Sequence, residues 1–263
     1  MADFINTIDV LGDDTVIDSI IERNITEFKD DTVTTVGQRA FCNCTSLTTA
    51  DLPNVTKVGQ YAFFGCAALK SVNLPQATSF DGYIFKNCSS LETVIAPNLT
   101  VVGISMFEGC ESFSGQLLDF SKISRVMTYG FCNCKSLDNP KFQNLTTIDN
   151  DAFRACTFSI IDLPSVTSID GNRVFYMVDN LKAVILRRSD VMCALSAPLL
   201  VRSNTLIPGY IYAPRALLSD TDATMDYRRA TNWSAHAAQF RALEDYTVDG
   251  TTTGELDETK IAA

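Results

Sequence analysis

Nine cysteines and a single histidine are the residues of this sequence whose types best suit chemistry. Two cysteine pairs have the spacing Cys-Asn-Cys, at Cys42–Cys44 and Cys132–Cys134. Zinc sites are built from Cys-x-x-Cys pairs or nearby histidines, and the only histidine, His236, lies far along the chain from both pairs. A thiol nucleophile and its base can be drawn from Cys193 and His236, but nothing in the sequence orients them. We therefore predict that the chain is not an enzyme and has no catalytic residues, no metal site and no cofactor.

The spacing of the cysteines explains most of them without chemistry. Six follow a phenylalanine by three residues and recur every 22 or 24 residues: Cys44, Cys66, Cys88, Cys110, Cys134 and Cys156. Residues at one position of stacked repeats lie about 4.8 Å apart with parallel side chains, whereas a disulfide requires Cβ atoms about 3.8 Å apart. We therefore predict an internal column of free thiols that pack as small apolar groups.

The phenylalanines define the repeat unit itself. They recur in steps of 22 residues, with one step of 24, at Phe41, Phe63, Phe85, Phe107, Phe131, Phe153 and Phe175. Residues 69–74 of one unit spell Leu-x-x-Val-x-Leu before Pro75, a pattern typical of a short strand closed by a turn. A fixed period of about 20 to 45 residues is typical of a solenoid, in which successive coils stack on each other. The two-residue insertion at 114–120 predicts one irregular coil.

Composition limits the classes of partner. Acidic residues outnumber basic ones by 31 to 21, and the formal net charge is −10. Nucleic acids and anionic membrane surfaces select for Lys and Arg, so we predict no nucleic-acid partner. No apolar run approaches the roughly 18 to 20 residues that span a bilayer, which predicts no membrane insertion. The first residues lack the basic and apolar regions of a signal peptide, and the sequence leaves the localisation open.

The repeat resembles the leucine-rich repeats of the BspA type, whose unit is roughly Ile-Gly-x-x-Ala-Phe-x-x-Cys-x-x-Leu-x-x-Val-x-Leu-Pro. The resemblance covers about residues 33–186, and the segments 209–214 and 227–234 resemble the closing segment of that family. It implies a β-rich solenoid of the leucine-rich-repeat type, with about seven 22-residue coils and mixed α/β caps. It also implies proteins displayed on bacteria that bind host matrix, cells or surfaces, and related parts of phage tails.

The period predicts four segments along the chain. Residues 1–32 are an N-terminal cap, with an amphipathic helix at 15–23 and a strand at 24–28. Residues 33–186 are the leucine-rich-repeat solenoid, and residues 187–246 are a C-terminal cap. Residues 247–263 contain too few apolar side chains to offset the entropy of ordering, so we predict a flexible tail there.

Recognition residues are expected at the outward-facing positions of the Leu strands, which change from coil to coil. This predicted face consists of Thr49, Asp51, Ser71, Asn73, Thr93, Ile95, Asn139, Lys141, Ile160, Asp162, Ala183 and Ile185. It becomes more apolar toward Ile160 and Ile185, and exposed apolar rows are typical of contact surfaces. Two other interpretations remain open: the face is only solvated, or it packs against another copy of the chain.

We predict a non-catalytic recognition module that binds a host or bacterial surface protein or glycan in adhesion. It would be displayed on a bacterial cell surface or on a phage particle. The alternative is a structural or assembly component of a phage tail or virion that uses the solenoid face for oligomer contacts.

Overall fold

The structure is a computed structural model that describes residues 16–17, 24–202, 205–218 and 225–261. Its strands are short, as the repeat predicts. They are β1 Val16–Ile17, β2 Glu27–Lys29, β3 Thr35–Val36, β4 Thr49–Asp51, β5 Lys57–Val58, β6 Ser71–Asn73, β7 Ser79–Phe80, β8 Thr93–Ile95, β9 Val101–Val102, β10 Arg125–Val126, β11 Thr147–Ile148, β12 Ile160–Leu163, β13 Ser168–Ile169, β14 Ala183–Leu186, β15 Ala194–Leu195, β16 Leu200–Arg202, β17 Thr205–Leu206, β18 Tyr210–Ala213 and β19 Phe240–Ala242. Short 3-10 helices occupy Phe120–Lys122, Arg215–Leu217, Trp233–Gln239 and Leu243–Tyr246, and one turn of α-helix occupies Glu258–Ile261.

The chain forms a β-solenoid of the leucine-rich-repeat type and divides into two compact units. Residues up to 119 together with 129–136 form the first unit, and residues 120–128 together with 137 onward form the second. In the first unit each coil contributes one strand to each of two parallel sheets, β1-β3-β5-β7 and β2-β4-β6-β8. Thr49 lies opposite Ser71, and Ser71 opposite Thr93, so the sheet register repeats the 22-residue step of the sequence.

Stacked phenylalanines fill the interior of the coils. In the first unit the ring centroids of successive phenylalanines are 4.8 Å apart for Phe41–Phe63 and 5.5 Å apart for both Phe63–Phe85 and Phe85–Phe107. Near-parallel rings at this separation attract each other in addition to the apolar area they bury. The Phe column therefore adds to the cohesion between coils.

The tight turns beside this column depend on residues in the left-handed region. Asn43, Gly65 and Asn87 occupy one turn position with φ of 59°, 71° and 63°. Asn and Gly tolerate this conformation best, which explains why they recur there. A second left-handed position carries Tyr61 and Tyr83, which pay a steric cost, and their backbone N–H groups donate to the next coil at 3.2 Å and 2.8 Å.

The predicted thiol column is present. All nine cysteines, which lie within the described residues, are free of disulfides, and most are buried. The Sγ atoms of Cys66, Cys88 and Cys110 each donate to a phenylalanine carbonyl of the preceding coil at 3.0 Å. Burial raises the pKa of the Cys88 thiol above its ordinary value. These thiols are neutral packing groups that also satisfy buried carbonyls.

The second unit continues the parallel stacking beyond the last predicted coil. Its sheets are β10-β11-β13-β15 and β12-β14-β18-β19, and Val184 of β14 lies opposite Ile211 of β18. β18 and β19 therefore extend the repeat sheet, although the sequence period has ended and the intervening loops are longer. The described residues between β9 and β10 include no strand. The 3-10 turn at Phe120–Lys122 lies there, in the coil with the insertion.

Two predictions at the ends of the chain differ from the structure. The helix predicted at 15–23 is wrong at Val16–Ile17, which form β1 and pair with β3, as suits two β-branched residues; the rest of that segment lies outside the described residues. The predicted strand at 24–28 is observed as Glu27–Lys29.

Residues 247–261, here named the C-terminal segment, are not a free tail. Ile261 is buried against Ala183, Ile185 and Tyr212, because a few apolar residues suffice where a sheet presents an apolar face.

Candidate binding surface

The first-unit face is the outward surface of β2, β4, β6 and β8. It carries the predicted residues Thr49, Asp51, Ser71, Asn73, Thr93 and Ile95, preceded by Glu27 and Lys29 of β2. In each of β4, β6 and β8 the central residue is buried and its two neighbours point outward, as the alternation of a strand requires. The sequence prediction of which side chains share this face therefore agrees with the strand geometry.

Hydrogen bonds between neighbouring strands order the polar side chains of the first-unit face. Lys29 Nζ lies 2.7 Å from Asp51 Oδ2, and Asn73 Nδ2 donates to Asp51 Oδ1 at 2.8 Å. The hydrogen bond from Lys29, and after it the one from Asn73, lower the pKa of Asp51 below its ordinary value. Asp51 is thus a fixed negative charge on this face, and Ile95, 40% exposed, is an apolar group at its far end.

In the second unit the residues of the predicted face lie in two different environments. Asn139, Lys141, Ile160 and Asp162 line a groove of about 480 Å³. Ala183 and Ile185 do not line it and are fully buried. The expectation that Ile185 is an exposed contact residue is wrong. Its neighbours Leu243 and Ile261, with Tyr246 and Leu256 packed alongside, cover that part of the sheet.

The groove lies between the coil before β12 and the C-terminal segment. Residues 139–143 form one side and Ile160 and Asp162 lie beside them, while Val248 and residues 255–258 form the other side. Pro140 has no N–H to donate to a sheet, and the coil pairs with β12 only through the single bridge Lys141–Asp162. Asn139 Oδ1 instead accepts the N–H groups of Ser159 and Ile160 at 3.1 Å and 3.0 Å.

Arg187 holds the C-terminal segment in place. Its Nε and Nη2 donate to the Asp162 carboxylate at 2.8 to 3.0 Å, and its Nη1 donates to the carbonyls of Thr252 and Gly254 at 2.8 Å and 2.9 Å. The planar fork of a guanidinium suits this double role, since it binds a carboxylate and two carbonyls at once. The groove therefore has a braced far side rather than a loose strand of chain.

The charges of the groove are only partly compensated. Asp162 pairs with Arg187, and Asp257 lies 3.5 Å from Lys260. Lys141, Glu255 and Glu258 are exposed and have no ion-pair partner among the described residues. The coil side thus carries one free ammonium group, and the C-terminal segment carries two free carboxylates.

Sequence reasoning missed the residues that complete the groove: Arg187, Val248, Glu255, Leu256 and Glu258. The signal available in the sequence was weak. Leu256 and Ile261 are isolated apolar residues in an acid-rich segment, and no period marks them.

The pair Cys193 and His236 does not form a catalytic arrangement. His236 Nε2 accepts the backbone N–H of Leu199 at 2.9 Å, and its Nδ1 lies 2.6 Å from Gln239 Oε1, so both ring nitrogens are engaged. Burial raises the pKa of the Cys193 thiol to about 12, which leaves it protonated at neutral pH. No group of three or more His, Cys, Asp or Glu in the described ranges is arranged to hold a metal ion.

Acid should weaken the second unit through His236. Burial lowers the pKa of this histidine, the only one in the chain, below its ordinary value of 6.5. The unfolded chain therefore takes up a proton at higher pH than the folded chain does, and stability falls as pH drops from about 6.5. We expect a loss of up to about 1.4 kcal/mol per pH unit in urea unfolding measured between pH 7.5 and 5. His236→Gln should lose this slope, and an unchanged slope would show that another group titrates.

Comparison with known proteins identifies the repeat. The model of the BspA-type leucine-rich repeat region matches residues 21–115 and 117–192, in six copies. The chain belongs to the BspA-type leucine-rich repeat family. Members of this family are typically repeat proteins of bacterial surfaces. Neither this match nor the solved structures support the alternative of a phage tail or virion component.

Several solved structures of leucine-rich repeat proteins are similar to the chain. A leucine-rich repeat protein from Bacteroides ovatus is 18% identical, over 76% of this chain and 66% of its own, with a TM-score of 0.39. The T. pallidum leucine-rich repeat protein is 22% identical, over 63% of this chain and 82% of its own, with a TM-score of 0.44. A leucine-rich cell surface protein from Faecalibacterium prausnitzii is 15% identical, over 76% and 84%, with a TM-score of 0.32. Among curated proteins none matches the sequence.

The helices in the part of the chain that the structure describes are short. They are single turns or short runs, and none has the length and apolar content needed to cross a bilayer.

Proposed function

We propose that this BspA-type chain is a non-catalytic recognition module for adhesion, which binds a surface protein or glycan through the first-unit face. The observation that supports this most is the ordered polar ladder Lys29–Asp51–Asn73 on an uncovered sheet. Side chains already fixed by hydrogen bonds lose little entropy when a partner binds. Polar groups flanked by an exposed apolar residue such as Ile95 are the usual composition of such interfaces.

The repeat architecture supports the same proposal. A solenoid sheet presents side chains from successive coils at regular spacing, so a partner is contacted over several coils at once. Family membership makes a surface-displayed binding role the natural setting for this face. Host or bacterial surface proteins and glycans are the partners we propose, and oligomer formation by the same face is an outcome that the test below detects.

A paired set of variants tests the first-unit face. We expect Asp51→Lys combined with Ile95→Asp to reduce capture of the intact chain's ligands on glycan and matrix-protein arrays at least tenfold, because charge and apolar contact are both reversed. The control, placed outside this face, is Lys57→Glu combined with Val101→Asp. Lys57 and Val101 are also outward-facing strand residues of the first unit, in β5 and β9, and Val101 is 37% exposed.

Three results would decide between the alternatives. Capture that is lost in the test variant and kept in the control supports the proposed face. Equal capture by both variants contradicts it. A change in mass by light scattering from an oligomer to one chain of 28.8 kDa, in the test variant only, would assign the face to self-association instead.

A further inference from the structure

We propose that the groove of the second unit binds an extended peptide segment in which an aliphatic side chain is next to a lysine or arginine. The proposal rests on the proposed function only in taking the chain to be a binding module. It concerns a different surface from the first-unit face. It names the chemical class of the ligand, which the family match does not.

The apolar part of the groove is ready to take an aliphatic side chain. Pro140 and Phe142 are buried beneath it, Ile160 and Leu256 are half-buried, and Val248 is 71% exposed, more than any other large apolar side chain described. Exposed apolar area of this kind costs free energy in water, and covering it favours binding. A volume of about 480 Å³ is within the usual range for small-ligand sites. It accommodates a few side chains, not a folded domain.

The charge of the groove selects for a basic residue. Glu255 and Glu258 project from the C-terminal segment without an ion-pair partner among the described residues, next to Leu256. An ammonium or guanidinium group next to an aliphatic side chain reaches these carboxylates when the aliphatic group lies on Leu256. Neutral glycans have no charge to offer at this place, so the charge pattern favours a peptide over a sugar.

Lys141 makes the two sides of the groove different in charge. It is the one basic residue of the groove that is not paired, because Arg187 is held by Asp162 and by two carbonyls. A second basic residue on the Lys141 side would be repelled, whereas a polar or acidic residue would be accepted there. The favoured ligand therefore has a polar or acidic residue on one side of the aliphatic residue and a basic residue on the other.

The rigid frame makes the groove a site rather than a crevice in a mobile tail. Arg187 fixes the loop at Thr252 and Gly254, and Ile261 anchors the end of the C-terminal segment in the apolar cluster with Ile185. A Cβ added at Gly254 would come within 3 Å of the Asp249 carboxylate, so Gly254 is closely packed in this turn. Both sides of the groove are thus held before a ligand arrives, which lowers the entropy cost of binding.

Capped peptides test the ligand class directly. The probes are acetyl-Ser-Leu-Lys-Gly-amide, the same peptide with Glu in place of Lys, the same with Gln in place of Lys, and the same with Gly in place of Leu. Each is titrated into the intact chain with labelled Ile, Leu and Val methyl groups, and shifts are followed by NMR. We expect saturable shifts at Ile160, Val248 and Leu256 with the Leu-Lys peptide. Affinity should be about fivefold lower with the Gln peptide and lower again with the Glu and Gly peptides.

Two variants separate charge from folding. Glu255→Gln with Glu258→Gln removes two exposed, unpaired charges, so the fold should persist. The variant should then bind the Lys peptide and the Gln peptide with about equal affinity. The matched control, Asp81→Asn with Glu92→Gln, removes the same charge from exposed sites of the first unit and should keep the preference. Equal binding of the Lys and Glu peptides, or no shift at these methyl groups up to 5 mM peptide (about the weakest affinity worth assigning), would overturn the proposal.

The outcome is independent of the first-unit face. Peptide binding that survives Asp51→Lys with Ile95→Asp, while array capture is lost, would establish two separate sites. If the intact chain captures ligands on the arrays but does not bind the peptides in the groove, only the groove proposal is contradicted.

Discussion

Replacing Phe63 with alanine is expected to lower the free energy of unfolding of the chain by about 3–5 kcal/mol. Phe63 is fully buried and its ring stacks between Phe41 and Phe85, so the change removes both the buried area and two aromatic contacts. The cavity lies inside a column whose members are held one coil apart, and neighbouring backbone cannot collapse into it without breaking the sheet register. The effect should therefore lie at the upper end for such substitutions.

The adjacent residue provides the control. Phe64 is half-buried and touches Tyr61 edge-on, with ring centroids 5.7 Å apart. Phe64→Ala deletes the same atoms one position away and should cost about 1 kcal/mol. Urea unfolding followed by circular dichroism measures both. Similar losses for the two variants would show that the interior Phe column does not carry the cohesion between coils.

Replacing Ile185 with aspartate is expected to release the C-terminal segment. Ile185 is 0% exposed and packs with Leu243 and Ile261, so an ionised carboxylate there would lose its hydration with no partner to replace it. Undocking of residues 247–261 avoids that cost. We expect a loss of about 3–5 kcal/mol in the stability of the second unit. Limited proteolysis with a glutamate-specific protease should also cut faster at Glu255 and Glu258.

Ile95 is a matched control for Ile185, because both occupy the same repeat position. Ile95 is 40% exposed on the first-unit face, and nothing described covers it. Ile95→Asp should change stability by no more than about 0.5 kcal/mol and leave the cleavage pattern as it is. Should Ile185→Asp behave like Ile95→Asp, the C-terminal segment would not be docked as described.

The regular part of the fold could be predicted because its contacts obey one short rule. Phe63 meets Phe85, Thr49 meets Ser71, and Cys88 meets the carbonyl of Phe63, each about one period away in sequence. The period of the sequence therefore predicts these neighbours. The same logic predicted which side chains alternate outward on β4, β6 and β8.

The groove could not be predicted because its contacts follow no period. Arg187 reaches the carbonyl of Thr252, 65 residues away, and Ile185 meets Ile261 from a segment that composition alone marks as disordered. The apolar trend toward Ile160 and Ile185 led to the expectation of an exposed contact surface, whereas Ile185 is buried. The partner, at least for Ile185, is the chain itself. The composition of a segment gives the number of its apolar residues, but it does not show whether an apolar sheet surface is available for them to pack against.

The strand pairing of the first unit has a mechanical consequence. Within the two sheets, successive coils pair over only two or three residues, such as Thr35–Val36 with Lys57–Val58. Tension applied at the N-terminal side of this unit loads the strand pairs of one coil at a time. The pairs of the coils behind it stay unloaded until that coil has opened. Each coil that opens would free 22 residues, or about 75 Å of extended chain. A solenoid of this design would lengthen in small repeated steps under load.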